Sequence, residues 1–182
     1  MIAVPATSSK TLLNKLSGGD RRSIGQANQV AGLVLQRPAL FPQLIEGLSN
    51  SDPLIRMRAA DAAEKVTLRR PGLLKPFKAK LLRLLDEATQ QELRWHLAQM
   101  VPRLALSAKD CVRATTALMH HLEDKSSIVK TSAMQAIADL ASSHDELIPQ
   151  LKQLLTTLTE SGTPAMKARG RKLFAQLERH HS

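Results

Sequence analysis

The chain has 182 residues, with 26 Lys and Arg against 16 Asp and Glu, a net charge of +10. A hydrophobic share of 43% is too high for a disordered chain, and a chain of this length buries roughly 70% of its unfolded surface without help from disulfides or metal. Four aromatic rings (Phe41, Phe77, Trp95 and Phe174) are too few for a base-stacking platform, and a lone cysteine, Cys111, excludes an internal disulfide or a thiolate cluster.

No apolar run approaches the length of a membrane span, so no membrane contact is expected. Met1 to Lys10 has no apolar stretch of the signal-peptide kind, and the expected location is the cytoplasm. Residues 1–9 read as a tail and 10–180 as a single domain.

In chain order, a short helix over 10–17 is stopped by Gly18-Gly19. A helix starting near 20 carries the stripe Ala27, Val30, Ala31 and Val34. Leu-rich helices follow over 38–49, 71–85, 108–122 and 145–160; Arg37-Pro38 and Arg70-Pro71 open the first two in the same way. Pro42, Pro76 and Pro149 fall at corresponding places, where proline bends a helix or is confined to its first turn. Between these lie helices starting near 53, 90, 126 and 164. Asp52-Pro53 and Thr163-Pro164 place a capping oxygen before a first-turn proline, and Ser126 or Ser127 caps the helix between them.

The second set of helices repeats. Ile55-Arg56-Met57-Arg58-Ala59 lines up with Leu93-Arg94-Trp95-His96-Leu97, with Val129-Lys130-Thr131-Ser132-Ala133 and with Met166-Lys167-Ala168-Arg169-Gly170. Each copy continues into an apolar stripe at helical spacing, such as Ala62, Ala63 and Val66 or Ala136, Ile137 and Leu140. One helix pair cannot bury such a stripe alone, whereas stacked pairs share a continuous core. The expected fold is all-α: a right-handed α-solenoid of about five antiparallel helix pairs.

The pattern resembles the HEAT-repeat family over nearly the whole chain, from about Lys10 to Arg179. Its best copy is Asp52-Pro53-Leu54-Ile55-Arg56-Met57-Arg58-Ala59-Ala60. The resemblance implies a scaffold that binds macromolecules, with second helices lining a concave surface. It also implies that the base after the apolar residue pairs with an aspartate to tie neighbouring repeats. Only Arg56 has that acid, Asp52, four residues earlier; Gln90, Ser126 and Thr163 stand at the other places, although Asp124 is near enough to serve Lys130.

The candidate binding residues follow from this register. Arg56, Arg94, Lys130 and Lys167 form a basic column, and Arg58, His96 and Arg169 stand beside it. The expected function is a non-enzymatic binding scaffold for a protein partner. The alternative is double-stranded nucleic-acid binding through Lys65, Arg69, Arg70, Lys75, Lys78, Lys80 and Arg83, a run with no acid from 65 to 85, together with the 163–179 helix. An acidic middle, with 7 bases and 10 acids over 86–162, argues against a uniformly positive groove.

A third reading, base excision, takes its warrant from HEAT-like DNA alkylation-repair glycosylases and would use Trp95 with Asp61 or Asp139. An aromatic wall and an acid must meet at one site, and neither acid shares a helix with Trp95. His120-His121 reads as a solvated helix end, and Cys111 as a buried inert thiol. No metal site, cofactor or catalytic constellation is expected.

Overall fold

The computed structural model describes residues 12–20 and 22–180. The expected tail therefore lies outside the described residues, as does His181. The described residues are all helix, turn and loop with no strand, and no helix among them is long and apolar enough to cross a membrane. They form two compact units that divide between Lys78 and Ala79.

The first unit holds α1 (Ala27–Gln36), α2 (Phe41–Gly47) and α3 (Pro53–Arg69). Asp52 caps α3 by accepting the Leu54 N–H at 2.8 Å, with Pro53 in the first turn. The residue before a proline is pushed out of helical geometry, so α1 and α3 stop at Arg37 and Arg70, ahead of Pro38 and Pro71. α3 packs on α1 and on α2 and needs small residues on both flanks: Ala59, Ala60, Ala62 and Ala63 are all fully buried. Phe41 meets Phe77 edge-on, with ring centroids 5.8 Å apart.

α1 begins at Ala27 rather than near 20. Gly18, Gly19 and Gly25 adopt positive φ and turn the intervening chain into a loop, for reasons that lie with Arg58.

The second unit holds α4 (Lys78–Glu87), whose first residue is the last of the first unit, then α5 (Gln91–Met100), α6 (Ala108–His121), α7 (Ser127–Ala141), α8 (Ile148–Ser161) and α9 (Pro164–His180). Ser126, rather than Ser127, caps α7. α5 packs on α7 and α7 on α9; α6 packs on α7 and α8 on α9. α5, α7 and α9 thus lie side by side, with α6 and α8, which precede α7 and α9 in the chain, packed against them. Gly170 on α9 permits close approach to α8, since a Cβ there would stand 2.3 Å from Thr159 Oγ1.

Two of the three corresponding prolines stand in first turns, and the third lies inside a 3-10 segment. Pro42 and Pro149 open α2 and α8, and Pro76 sits in the 3-10 turn Pro71–Phe77 ahead of α4. Pro102 has no N–H to continue α5, so the apolar stripe runs on through a 3-10 turn, Val101–Arg103, with Val101 still buried.

Candidate interaction surface

The basic residues singled out by the repeat do not share one environment. Arg58 is 2% exposed. Its Nε donates to Ser23 O (3.1 Å), Nη1 to Leu16 O (2.9 Å) and Gly18 O (2.6 Å), and Nη2 to Asp20 O (2.9 Å). The loop before α1 is wound round this guanidinium.

His96, at the equivalent place in α5, is buried with its ring against Trp95, centroids 5.4 Å apart. Ser132, the next equivalent, is buried too, and Arg169 is half-buried. Arg58 and His96 were expected on the contact surface and instead lie inside. The angular step of a helix turns this position away from solvent toward the neighbouring helices.

The neighbouring column divides. Arg56 Nη1 donates to Asn50 O (2.6 Å) and Ser51 O (3.1 Å), fastening the turn between α2 and α3. Arg94 Nε donates to Ala88 O (2.6 Å), and its Nη1 pairs with the carboxylate of Asp124 in the α6–α7 turn. Asp124 therefore serves Arg94, one repeat back, and not Lys130. Lys130 and Lys167 open α7 and α9, half-buried; among the described residues neither ammonium makes a hydrogen bond or an ion pair.

Burial of Asp124 disfavours its charge, but the Ser126 N–H at 2.7 Å and the Arg94 guanidinium outweigh this and hold the carboxyl below the usual carboxylate range.

Ile128, Thr131, Gln135 and Asp139 of α7 form an open strip at helical spacing, with Ser127 exposed at the helix start. Arg169 Nη1 donates to Gln135 Oε1 (3.0 Å), and Gln135 Nε2 donates to Asp139 Oδ1 (2.8 Å). Crowding raises the Asp139 carboxyl, and Gln135 and the charges of Arg103 and Arg169 draw it back. At the other end of the strip, Ile128 is 54% exposed and Trp95 half-exposed, both near the starts of helices that pack together. The strip thus joins an apolar end to an internally bonded polar ladder, while Lys130, about 160° round α7 from Ile128, lies off it. Ile128 escaped the sequence reading because it stands where apolar residues normally face the core.

On the first-type side, α6 and the Leu147 turn frame a groove of about 270 Å³ lined by Val112, Thr115, Thr116, Met119, His120, Leu147 and Gln150. Cys111 is buried behind it, and burial pushes its thiol up.

His120 is exposed, but His121 is buried, which corrects the expectation of a solvated pair. Its Nε2 lies 3.1 Å from Leu85 O, a bond the neutral Nε2–H tautomer donates. Burial foremost, then the charge of Arg94, lowers its pKa below 6.5. Above pH 6.5 the ring is neutral in folded and unfolded chains alike, and stability is complete. As pH falls below 6.5 the unfolded chain takes up the proton first, so stability is lost until the folded pKa is passed. The urea midpoint should therefore fall between pH 7.5 and 5, and His121→Leu should flatten the profile; an unchanged wild-type midpoint would refute this.

No protein-family model matches the chain, and no curated protein matches it. Among solved structures, the crystal structure of an engineered protein is similar, with a TM-score of 0.64 at 15% identity, covering 97% of this chain and 85% of that chain. A likeness at that identity shows fold alone.

Proposed function

We propose that the chain is a non-enzymatic binding scaffold built of HEAT-like repeats, about five right-handed helix pairs in all, that engages a protein partner through its second-helix face. The side-by-side order of α5, α7 and α9 supports the repeat reading. The observation that carries the function is the presence, near the starts of the packed helices α5, α7 and α9, of half-exposed Trp95, exposed Ile128, and Lys130 and Lys167, whose ammoniums make no hydrogen bond or ion pair among the described residues. Protein contacts of high energy centre on aromatic and apolar anchors, and flanking charges steer the encounter. The charge comes from Lys130, Lys167 and, through Gln135, Arg169; Arg94 and His96 belong to the framework of the same unit, whereas Arg56 and Arg58 fasten the turns and loop of the first unit.

Reversal of both lysines (Lys130→Glu with Lys167→Glu) should reduce capture of a specific protein from native extract at least tenfold, with helicity retained. Lys152→Glu, on exposed α8, should leave capture intact. Undiminished capture by the doubly reversed chain refutes the assignment.

A further inference from the structure

The α1 and α3 helices of the first unit end alike. Arg37 closes α1 with φ/ψ of −129°/79° and Arg70 closes α3 with −136°/67°. Each donates its N–H to the carbonyl four residues back, Leu33 O and Val66 O, and each precedes the proline of a 3-10 turn. Two cross-contacts tie α3 to this region: Arg58 reaches Ser23 in the loop before α1, and Lys65 reaches Asn28 of α1 at 2.6 Å. α1 and α3 pack together, with axes about 8–10 Å apart, so both corners belong to one helix pair.

Bases suit these corners because the exposed carbonyls of a helix C-terminus carry partial negative charge. That accounts for their placement and leaves their charged heads uncommitted. Arg37, Arg69, Arg70 and Lys75 are all exposed, and among the described residues none makes a side-chain hydrogen bond or an ion pair. No acid occurs in the sequence from Arg22 to Ile45 or from Lys65 to Lys78, so the two segments that form these corners carry bases alone. The matching corner of the second unit has His144 at φ/ψ −144°/81°, followed by Asp145 and Glu146. His144 stands three residues beyond α7 and bonds to Ala141 O, three back, so it shares the φ/ψ of the arginine corners without their cap, and that φ/ψ does not by itself demand arginine.

We infer that these corner segments of the first unit bind the phosphodiester backbone of double-helical nucleic acid. Three of the four side chains are guanidinium forks, which meet phosphate oxygens in pairs. The unit's aromatic rings, Phe41 and Phe77, are turned on each other, which leaves no stacking surface for unpaired bases. Leu68, 68% exposed, stands alone among the bases, short of the apolar face with which a protein inserts into lipid. Contacts of this kind position a duplex without reading its sequence. None of the residues belongs to the proposed protein-binding face.

The test is fluorescence anisotropy of the full chain with a labelled 20-base-pair DNA duplex from 50 to 200 mM salt. Four phosphate contacts predict a log–log salt slope of about −3.6, roughly a hundredfold loss of affinity over that range. Replacing both corner arginines (Arg37→Gln with Arg70→Gln) should flatten the slope by about 2 units, and Arg69→Gln with Lys75→Gln should do the same if the corner pair perturbs folding. Lys130→Glu with Lys167→Glu should change nothing, which separates these segments from the protein-binding face. The inference is overturned by absence of binding at 50 mM salt or by a slope that both glutamine pairs leave unchanged. Tighter binding to a single strand of equal length, or to phosphatidylserine vesicles, also overturns it.

Discussion

Replacing Arg58 with alanine is expected to destabilise the first unit by about 3–5 kcal/mol, the range seen when one side of a buried charged interaction is removed. The guanidinium is 2% exposed and satisfies four backbone carbonyls between Leu16 and Ser23. Hydrogen bonds to a charged donor contribute about 1.5–3 kcal/mol each, and a buried carbonyl left without a donor is costly. Lysine should recover only part of the loss, because a compact ammonium cannot span acceptors arranged for a planar fork. Gly25→Ala should act in the same direction: φ there is +51°, and a Cβ would lie 2.7 Å from Arg58 Cζ. Urea unfolding measures the loss, and tryptic cleavage at exposed Arg22 reports release of the loop. A cost below about 1 kcal/mol would show that the loop holds itself.

Asp124→Ala should cost the second unit about 2–4 kcal/mol at neutral pH, since its carboxylate is 9% exposed and joins Arg94 of α5 to the start of α7. Asparagine should retain the bond from the Ser126 N–H, lose the charge, and fall between the two. The pH signature has a definite sign. The folded pKa is below 3.8, so the pair's contribution is complete above that value and lost as pH falls through the folded pKa. The alanine variant should lack this acid limb. Equal urea midpoints for wild type and variant at pH 7 would place the pair among the surface contacts that contribute nothing measurable.

The helices were legible because their punctuation is local. Asp52-Pro53 and Thr163-Pro164 state where α3 and α9 begin, and Arg37-Pro38 and Arg70-Pro71 where α1 and α3 stop. The start of α1 was not legible, since its displacement to Ala27 depends on a side chain more than 30 residues further on. The candidate surface was legible as a column of bases but not as a set of environments. Arg56 and Lys130 hold equivalent places, yet one is consumed by the carbonyls of Asn50 and Ser51 and the other makes no pair among the described residues. Asp124 went to Arg94 rather than Lys130 because a carboxylate in a turn meets the preceding repeat's helix, a pairing that one-dimensional spacing hides.

The clasp on Arg58 also imposes an order of assembly. Its acceptors precede it by 35 to 42 positions, a span that includes α1, α2 and most of α3's first turns. During synthesis, everything from Leu16 to Ser23 must therefore wait, unfastened, until that arginine has been added and has cleared the ribosomal exit. The amino-terminal end of the first unit is made early and locked late.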